Sequence, residues 1–128
     1  MSDYDTDLLL WSERQADLLR RVAAGERLND QVDWQNVPEE IESQGRSDRR
    51  GLHNRIASVL VHLIKLEASP AEEPRIAWRE TILEQRRRVA RLIAESPSLR
   101  PIVPRVIAEE LDDATERVND FDTAGFVI

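Results

Sequence analysis

The segment 36–67 constrains the fold of this chain more than any other part of the sequence. It reads NVPEEIESQGRSDRRGLHNRIASVLVHLIKLE. A helix-start signal opens it, because Asn36 and Glu39 resemble a capping box, and an apolar run of helical period closes it. No strand pattern intervenes. The segment therefore predicts one long helix, about 48 Å at a rise of about 1.5 Å per residue, and an all-α fold.

Two glycines and an apolar seam lie within this predicted helix. Gly45 and Gly51 each weaken a helix interior by about 1 kcal/mol relative to alanine, and they favour either a bend or a close helix crossing. Beyond them, apolar residues recur at near-heptad spacing: Leu52, Ile56, Val59, Leu63 and Leu66. A helix with this pattern is expected at the centre of a bundle or against a partner.

Shorter helices are predicted on both sides of the long one. The first is expected over residues 6–24, with Asp5 or Thr6 as its cap and Gly25 as its stop. Two more helices are predicted after the loop 69–74, over residues 75–95 and 104–118. The prediction is a single all-α domain over residues 1–128, a small bundle of about four helices with a long central second helix. Residues 119–128 are predicted to form a C-terminal tail.

The three tryptophans are interpreted as core anchors, and they make up half of the six aromatic residues. Trp11 falls on the apolar face of the first predicted helix, and Trp78 falls on that of the third. Trp34 precedes the predicted start of the long helix, where we expect it to staple onto Ile41 or a residue nearby.

Composition bounds the classes of function. With 41% hydrophobic and 34% charged residues among 128, the chain reads as soluble and globular. No apolar stretch approaches the length of about 18 residues that a membrane span needs, so no membrane partner is expected. The N-terminus MSDYDTD lacks the basic and apolar regions of a secretion signal, and the chain has no cysteine, so a cytoplasmic location is expected.

Charge is distributed unevenly along the chain. Residues 1–45 hold eleven acids and four bases (net −7), residues 46–105 hold seven acids and thirteen bases (net +6), and residues 106–128 hold seven acids and one base (net −6). A basic middle flanked by acidic ends can complement itself within the fold or present a basic face to a polyanion. Because the whole chain carries −7, strong nucleic-acid binding is not expected.

Acidic residues and histidines on the long helix raise the question of a metal site. Carboxylate di-metal centres in helical bundles need Glu-x-x-His pairs on facing helices, and no such set occurs here. His53 and His62 are nine residues apart and lie on opposite sides of one helix, so they cannot share an ion. No catalytic triad and no glycine-rich phosphate loop can be argued from the spacing. The sequence therefore predicts no cofactor and no enzyme activity.

A polar pair interrupts the most apolar part of the long helix. His62 and Lys65 are the only polar residues between Val59 and Leu66, one helical turn apart. They are a candidate anion site, with Glu39 and Glu40 as carboxylates that could meet them. The alternative is that they form the solvent-facing stripe of an amphipathic helix, with the lysine stem lying over apolar neighbours.

Arginines crowd the outer side of the third predicted helix: Arg79, Arg86, Arg87, Arg88 and Arg91. The planar guanidinium suits phosphate and carboxylate alike, so this surface is a candidate site for an anion, a nucleic acid or an acidic partner. The alternative is a solvated helix face with ion pairs such as Glu84 with Arg88.

Short motifs spread along the chain resemble those of a known family. They are YDTD with Trp11 and Gln15, NVPEEIE, GRSDRR, HLIKL, WRETILEQR and ESPSLR, in this order over about residues 4–118. In these motifs and their order the chain resembles the bacterial family called domain of unknown function 29. The resemblance implies a small helical bundle from a bacterium, and it implies no activity.

Two classes of function remain. The first is a non-enzymatic helical protein–protein interaction module that self-associates, most simply as a homodimer, and that could also bind another protein. It is motivated by the apolar run of the long helix and by the apolar residues Phe126 to Ile128. The second is an anion-binding or nucleic-acid-binding protein that uses the arginines of the third helix.

Overall fold

The computed structural model describes residues 3–123. Of these residues 86% are helical and none is in a strand, so the predicted all-α class is confirmed. The five α-helices are α1 (Asp3–Thr6), α2 (Leu8–Ala23), α3 (Asn36–Ala68), α4 (Arg75–Glu95) and α5 (Val103–Thr123). Two 3₁₀ helices, Asn29–Gln31 and Pro97–Ile102, lie in the connections. The long second helix of the prediction is α3, which continues without a break through both glycines.

Helix ends differ from the prediction where a different side chain makes the cap. The first predicted helix is divided into α1 and α2 at Asp7, whose carboxylate accepts a hydrogen bond from the Leu10 N–H at 3.1 Å. Its predicted stop is confirmed, because Gly25 has a φ of 99°. The bonds from Gly25 N to Val22 O and from Glu26 N to Arg21 O, both 3.0 Å, close the αL glycine cap.

The C-terminal helix is longer than expected. It begins at Val103, one residue before the predicted start, and it continues to Thr123 rather than ending near Val118. Residues 119–123, placed in the tail by the sequence, are therefore helical. Phe126 to Ile128, the apolar end of that predicted tail, lie outside the described residues.

The chain divides into two compact units, Met1–Arg46 and Ser47–Ile128. The first unit contains α1, α2 and the beginning of α3. The second contains the rest of α3 with α4 and α5. The single domain over residues 1–128 stays a prediction.

The core of the first unit is small and built around a tryptophan. Trp11, Val32 and Val37 are buried, and four partly buried side chains pack on them: Tyr4, Leu18, Leu19 and Val22. The prediction for Trp34 is wrong, since this side chain is 53% exposed and its indole N–H donates to Asn29 O at 2.7 Å. Ile41, its expected staple partner, is 68% exposed.

The central cluster of the second unit is aliphatic, and Trp78 of α4 is buried elsewhere in the same unit. Leu52, Ile56, Leu99 and Val106 are buried together, with side chains of α4 and of the Pro97–Ile102 turn packed around them. The helix directions follow from the contacts. On α3, Arg55 contacts Gln85 and Lys65 contacts Trp78, so α4 runs antiparallel to α3. A β-carbon on Gly51 would stand 3.8 Å from the Leu92 Cδ1 of α4, an ordinary van der Waals distance, so the packing of α4 on α3 does not require a glycine at this position.

The predicted seam of α3 is correct at its beginning and wrong at Leu63. Leu52 and Ile56 are buried, whereas Leu63 is 47% exposed. The physical reason is that α4 and α5 cover α3 around Leu52 and leave it open beside Leu63, which lines a groove.

Candidate functional site

An apolar groove on the second unit is the first surface feature that bears on function. It has a volume of about 480 Å³ and is lined by three segments. Its lining consists of Ile56, Val59, Leu60 and Leu63 of α3, Arg86, Val89, Ala90 and Ile93 of α4, and Arg100, Val103 and Ile107. Apart from two arginines, every lining side chain is apolar. We call this feature the apolar groove.

Exposed leucine and isoleucine side chains continue the apolar groove along its two flanking helices. Leu63 within it is 47% exposed and Ile107 is 40% exposed. On α4, Leu83 (51% exposed) lies two turns before Ala90, and on α5, Leu111 (45% exposed) lies one turn after Ile107. These four side chains therefore share one face, and a contiguous apolar surface of this kind commonly marks a binding site.

The arginines of the predicted surface lie on two different sides of α4. Arg86 lines the apolar groove, and Arg79, two turns earlier and exposed, shares its side of α4. Arg87, Arg88 and Arg91 lie on another side of α4, where they line a second concavity of about 390 Å³. Its other lining residues are Arg55, Glu84, Leu92 and Glu95. We call this second feature the arginine concavity.

The Glu84–Arg88 ion pair expected from the sequence is present, with Nη2 and Oε1 2.7 Å apart. Arg75 at the start of α4 is half-buried and does not extend the arginine surface. Its guanidinium donates to Leu66 O at 2.8 Å and to Ser69 O at 3.2 Å, which satisfies carbonyl groups at the C-terminus of α3.

The four residues proposed as a polar or anion site belong to different units. In the first unit, Glu39 pairs with Arg46 at 2.9 Å and Glu40 accepts a hydrogen bond from the Tyr4 hydroxyl at 3.3 Å. In the second unit, His62 and Lys65 are both half-buried. The His62 Nδ1 lies 2.7 Å from Ser58 O, and the Lys65 ammonium stands 5.7 Å from the centre of the Trp78 ring.

These contacts give Lys65 a structural role, because an ammonium over an indole face is attracted by the ring quadrupole. His62 lines a cleft together with Arg117 and Asp120 of α5. A shared site for these two residues with Glu39 and Glu40 stays a prediction.

Two polar contacts of the fold were missed by the sequence analysis. The first is at Asp33, the true cap of α3, which accepts from the Asn36 backbone N–H at 3.3 Å and from its side-chain amide at 2.9 Å. The Trp11 indole N–H donates to the same carboxylate at 2.9 Å, and the Asp33 N–H donates to Gln15 Oε1 at 2.8 Å. The bonds from Asn36 and then Trp11 lower the pKa of Asp33 below its ordinary value.

The expected capping box of Asn36 and Glu39 is therefore wrong. A sequence signal for Asp33 existed, because aspartate is a favoured cap and Asp33 lies three residues before Asn36, the spacing at which a capping side chain accepts a backbone hydrogen bond. Its bond to Trp11, twenty-two residues earlier, depends on tertiary structure and has no local signature.

The second missed contact is at His53, which links α3 to α5. Its Nδ1 lies 2.9 Å from the Glu110 carboxylate, and its Nε2 lies 3.9 Å from that of Glu109. Glu110 lies fifty-seven residues after His53, so no local pattern announces the contact. Among the side chains that the structure describes, up to residue 120, no three His, Asp or Glu side chains are grouped so as to hold a metal ion.

The helices and these two surface features define an all-α helical module. The chain belongs to the family described as Domain of unknown function DUF29, which matches residues 4–124. The resemblance found in the sequence motifs is thereby confirmed. No curated protein and no solved structure matches the chain. None of the helices in the described part of the chain is long and apolar enough to cross a membrane.

Proposed function

We propose that this chain is a non-enzymatic helical interaction module that self-associates through the apolar groove. The observation that supports this is the clustering of exposed leucine and isoleucine side chains on one face of the second unit, within and beside an apolar concavity. An apolar surface left in water costs about 25 cal/mol per Å² relative to a buried one, so covering it favours association.

The proposed occupant of the groove is a second copy of the same chain. The two helices that flank the groove carry opposite charge, since α4 holds six arginines and three glutamates (net +3) and α5 holds two arginines and seven acids (net −5). In a dimer with its two-fold axis along the groove, α4 of each copy faces α5 of the other. The charges then attract in both halves of the interface.

Other arrangements of two copies are less favourable. A two-fold axis across the groove would place α4 against α4, with Arg86 near its own copy, and α5 against α5. Like charges facing each other across an interface oppose association. We therefore expect the orientation in which basic and acidic helices alternate.

The proposed function carries two further expectations from the sequence. A cytoplasmic location is supported by the absence of cysteine from the chain. A bacterial origin is supported by the family resemblance. To bind in the apolar groove, a protein other than a second copy would have to present an apolar helix face with acidic residues at its edge.

The experiment is a measurement of molar mass by light scattering or sedimentation over a wide range of protein concentrations. We expect the mass to rise with concentration towards twice the monomer value of 14.8 kDa. Leu63→Glu should abolish this rise, because it places a carboxylate in the apolar groove. The matched control is Ile41→Glu, which adds the same charge at an exposed isoleucine of the first unit.

Arg86→Glu tests the orientation of the dimer. Its charge reversal on α4 should weaken the dimer if that helix faces the acidic α5 of the partner. A full-length chain that stays monomeric at every concentration would overturn self-association. A dimer weakened equally by Ile41→Glu and Leu63→Glu would place the interface elsewhere.

A further inference from the structure

The arginine concavity brings guanidinium groups of two helices together. Arg55 comes from α3, Arg87 and Arg88 are neighbours on α4, and Arg91 lies about one turn later on α4. Two of the four are already oriented. Arg55 is half-buried and donates to Gln85 Oε1 at 3.0 Å, while Arg88 donates to Glu84 Oε1 at 2.7 Å. A ligand that meets these groups therefore loses less side-chain entropy than it would on four mobile arginines.

The concavity has an excess of positive charge. Four arginines and two glutamates line it, a local net charge of +2. Arg87 and Arg91 are exposed, and neither forms an ion pair with a side chain that the structure describes. Their planar N–H groups match the oxygen atoms of a phosphate in pairs, which gives both strength and geometry to the contact.

The same lining limits the size of the anion. Glu84 and Glu95 stand among the arginines, and the whole chain carries −7. A long polyanion gains affinity from many phosphates placed along a basic surface, and it would have to cross these carboxylates. A compact anion needs only the local excess of charge.

From these observations we infer that the arginine concavity is a binding site for a compact, multiply charged phosphate, of the size of a pyrophosphate or the phosphate chain of a nucleotide. Arg87 and Arg91 contact its oxygen atoms, and Arg55 and Arg88 provide the fixed part of the site. This site is separate from the apolar groove, because α4 presents different sides to the two features.

The test is a calorimetric titration of the full-length chain with inorganic pyrophosphate at low and at physiological salt. We expect saturable binding at one site per chain. Arg87→Gln with Arg91→Gln should weaken it at least about tenfold, since each arginine donates charge-assisted hydrogen bonds. The matched control, Arg49→Gln with Arg79→Gln, removes the same charge from exposed positions outside the concavity and should weaken binding less than about threefold.

Three results would overturn the inference. They are the absence of saturable binding at low salt, an equal loss of affinity in the control pair, and tighter binding of a short DNA duplex than of pyrophosphate. Circular dichroism of each variant shows whether the helices persist. Leu63→Glu should leave pyrophosphate affinity unchanged, so this test succeeds or fails independently of dimerisation.

Discussion

The cores of the two units of this chain are stabilised by different kinds of interaction. In the first unit, Trp11 is fixed by an indole hydrogen bond to Asp33, and that carboxylate also caps α3. In the second unit, the central side chains Leu52, Ile56, Leu99 and Val106 are aliphatic. Polar contacts are directional, so a few of them can determine the geometry of a small core. Aliphatic packing is not directional, and its stability depends on how completely side chains fill the space.

This difference explains where each unit leaves surface for other molecules. The second unit fills its centre around Leu52, but α3 remains open beside Leu63, and the result is an apolar groove. The first unit also exposes apolar side chains, such as Leu9 at 70%. The comparison predicts that truncation of a core side chain has the largest effect on the stability of the second unit. In the first unit, we expect loss of a carboxylate to have the largest effect.

The largest expected effect is that of Leu52→Ala in the second unit. Leu52 is fully buried, so its truncation should lower the free energy of unfolding by about 2–5 kcal/mol. Leu63→Ala, at a side chain 47% exposed, should cost less than about 1 kcal/mol. Urea unfolding followed by circular dichroism measures both, at protein concentrations low enough to keep the chain monomeric. Equal losses would contradict the open groove.

The next effect is that of Asp33→Ala in the first unit. The variant leaves the Trp11 indole N–H and the Asn36 amide without their acceptor and removes a helix cap, so stability should fall by about 1–3 kcal/mol. Asp30→Ala, three residues earlier and exposed, is the control and should change stability by less than about 0.5 kcal/mol. If the two variants were equally stable, the polar contacts would not hold the unit together.

Acidification should remove part of the same contribution. The pKa of Asp33 is lower in the folded chain than its unfolded value of about 3.9, because its ionised form accepts hydrogen bonds. The stabilisation is therefore present above about pH 4 and is lost as the pH falls through the folded pKa. The stability difference between the wild type and Asp33→Asn should shrink from pH 7 towards pH 3. A difference that grows on acidification would have the wrong sign.

The smallest effect is a gain of stability at a glycine of α3. A β-carbon at Gly45 would meet nothing within 4 Å, so Gly45→Ala should stabilise by about 0.5–1 kcal/mol through its helix propensity. Gly25→Ala is the contrasting control, since a φ of 99° is strained for alanine and this variant should lose stability. Thermal unfolding of the two variants beside the wild type gives the sign in each case. A loss at Gly45 would mean that this position needs a glycine for a reason other than space.

The sequence by itself determined the helical class, the long α3 and most of the helix starts and stops. These features depend on local chemistry. Apolar side chains at helical spacing define α3, the αL conformation of Gly25 ends α2, and the Ser96-Pro97 pair marks the break after α4. The family motifs are also a property of the sequence alone, and the match over residues 4–124 confirms them.

Tertiary structure alone decided which apolar side chains are covered and which charged ones meet. Leu52 and Leu63 stand in the same predicted seam, yet only the first is buried, because burial depends on where α4 and α5 cross α3. The bonds of Trp11 to Asp33 and of His53 to Glu110 join residues far apart in the chain. Adjacent arginines such as Arg86 and Arg87 face different surfaces because a helix turns by about 100° per residue. The helices that pack against α4 then determine which of its sides line a groove.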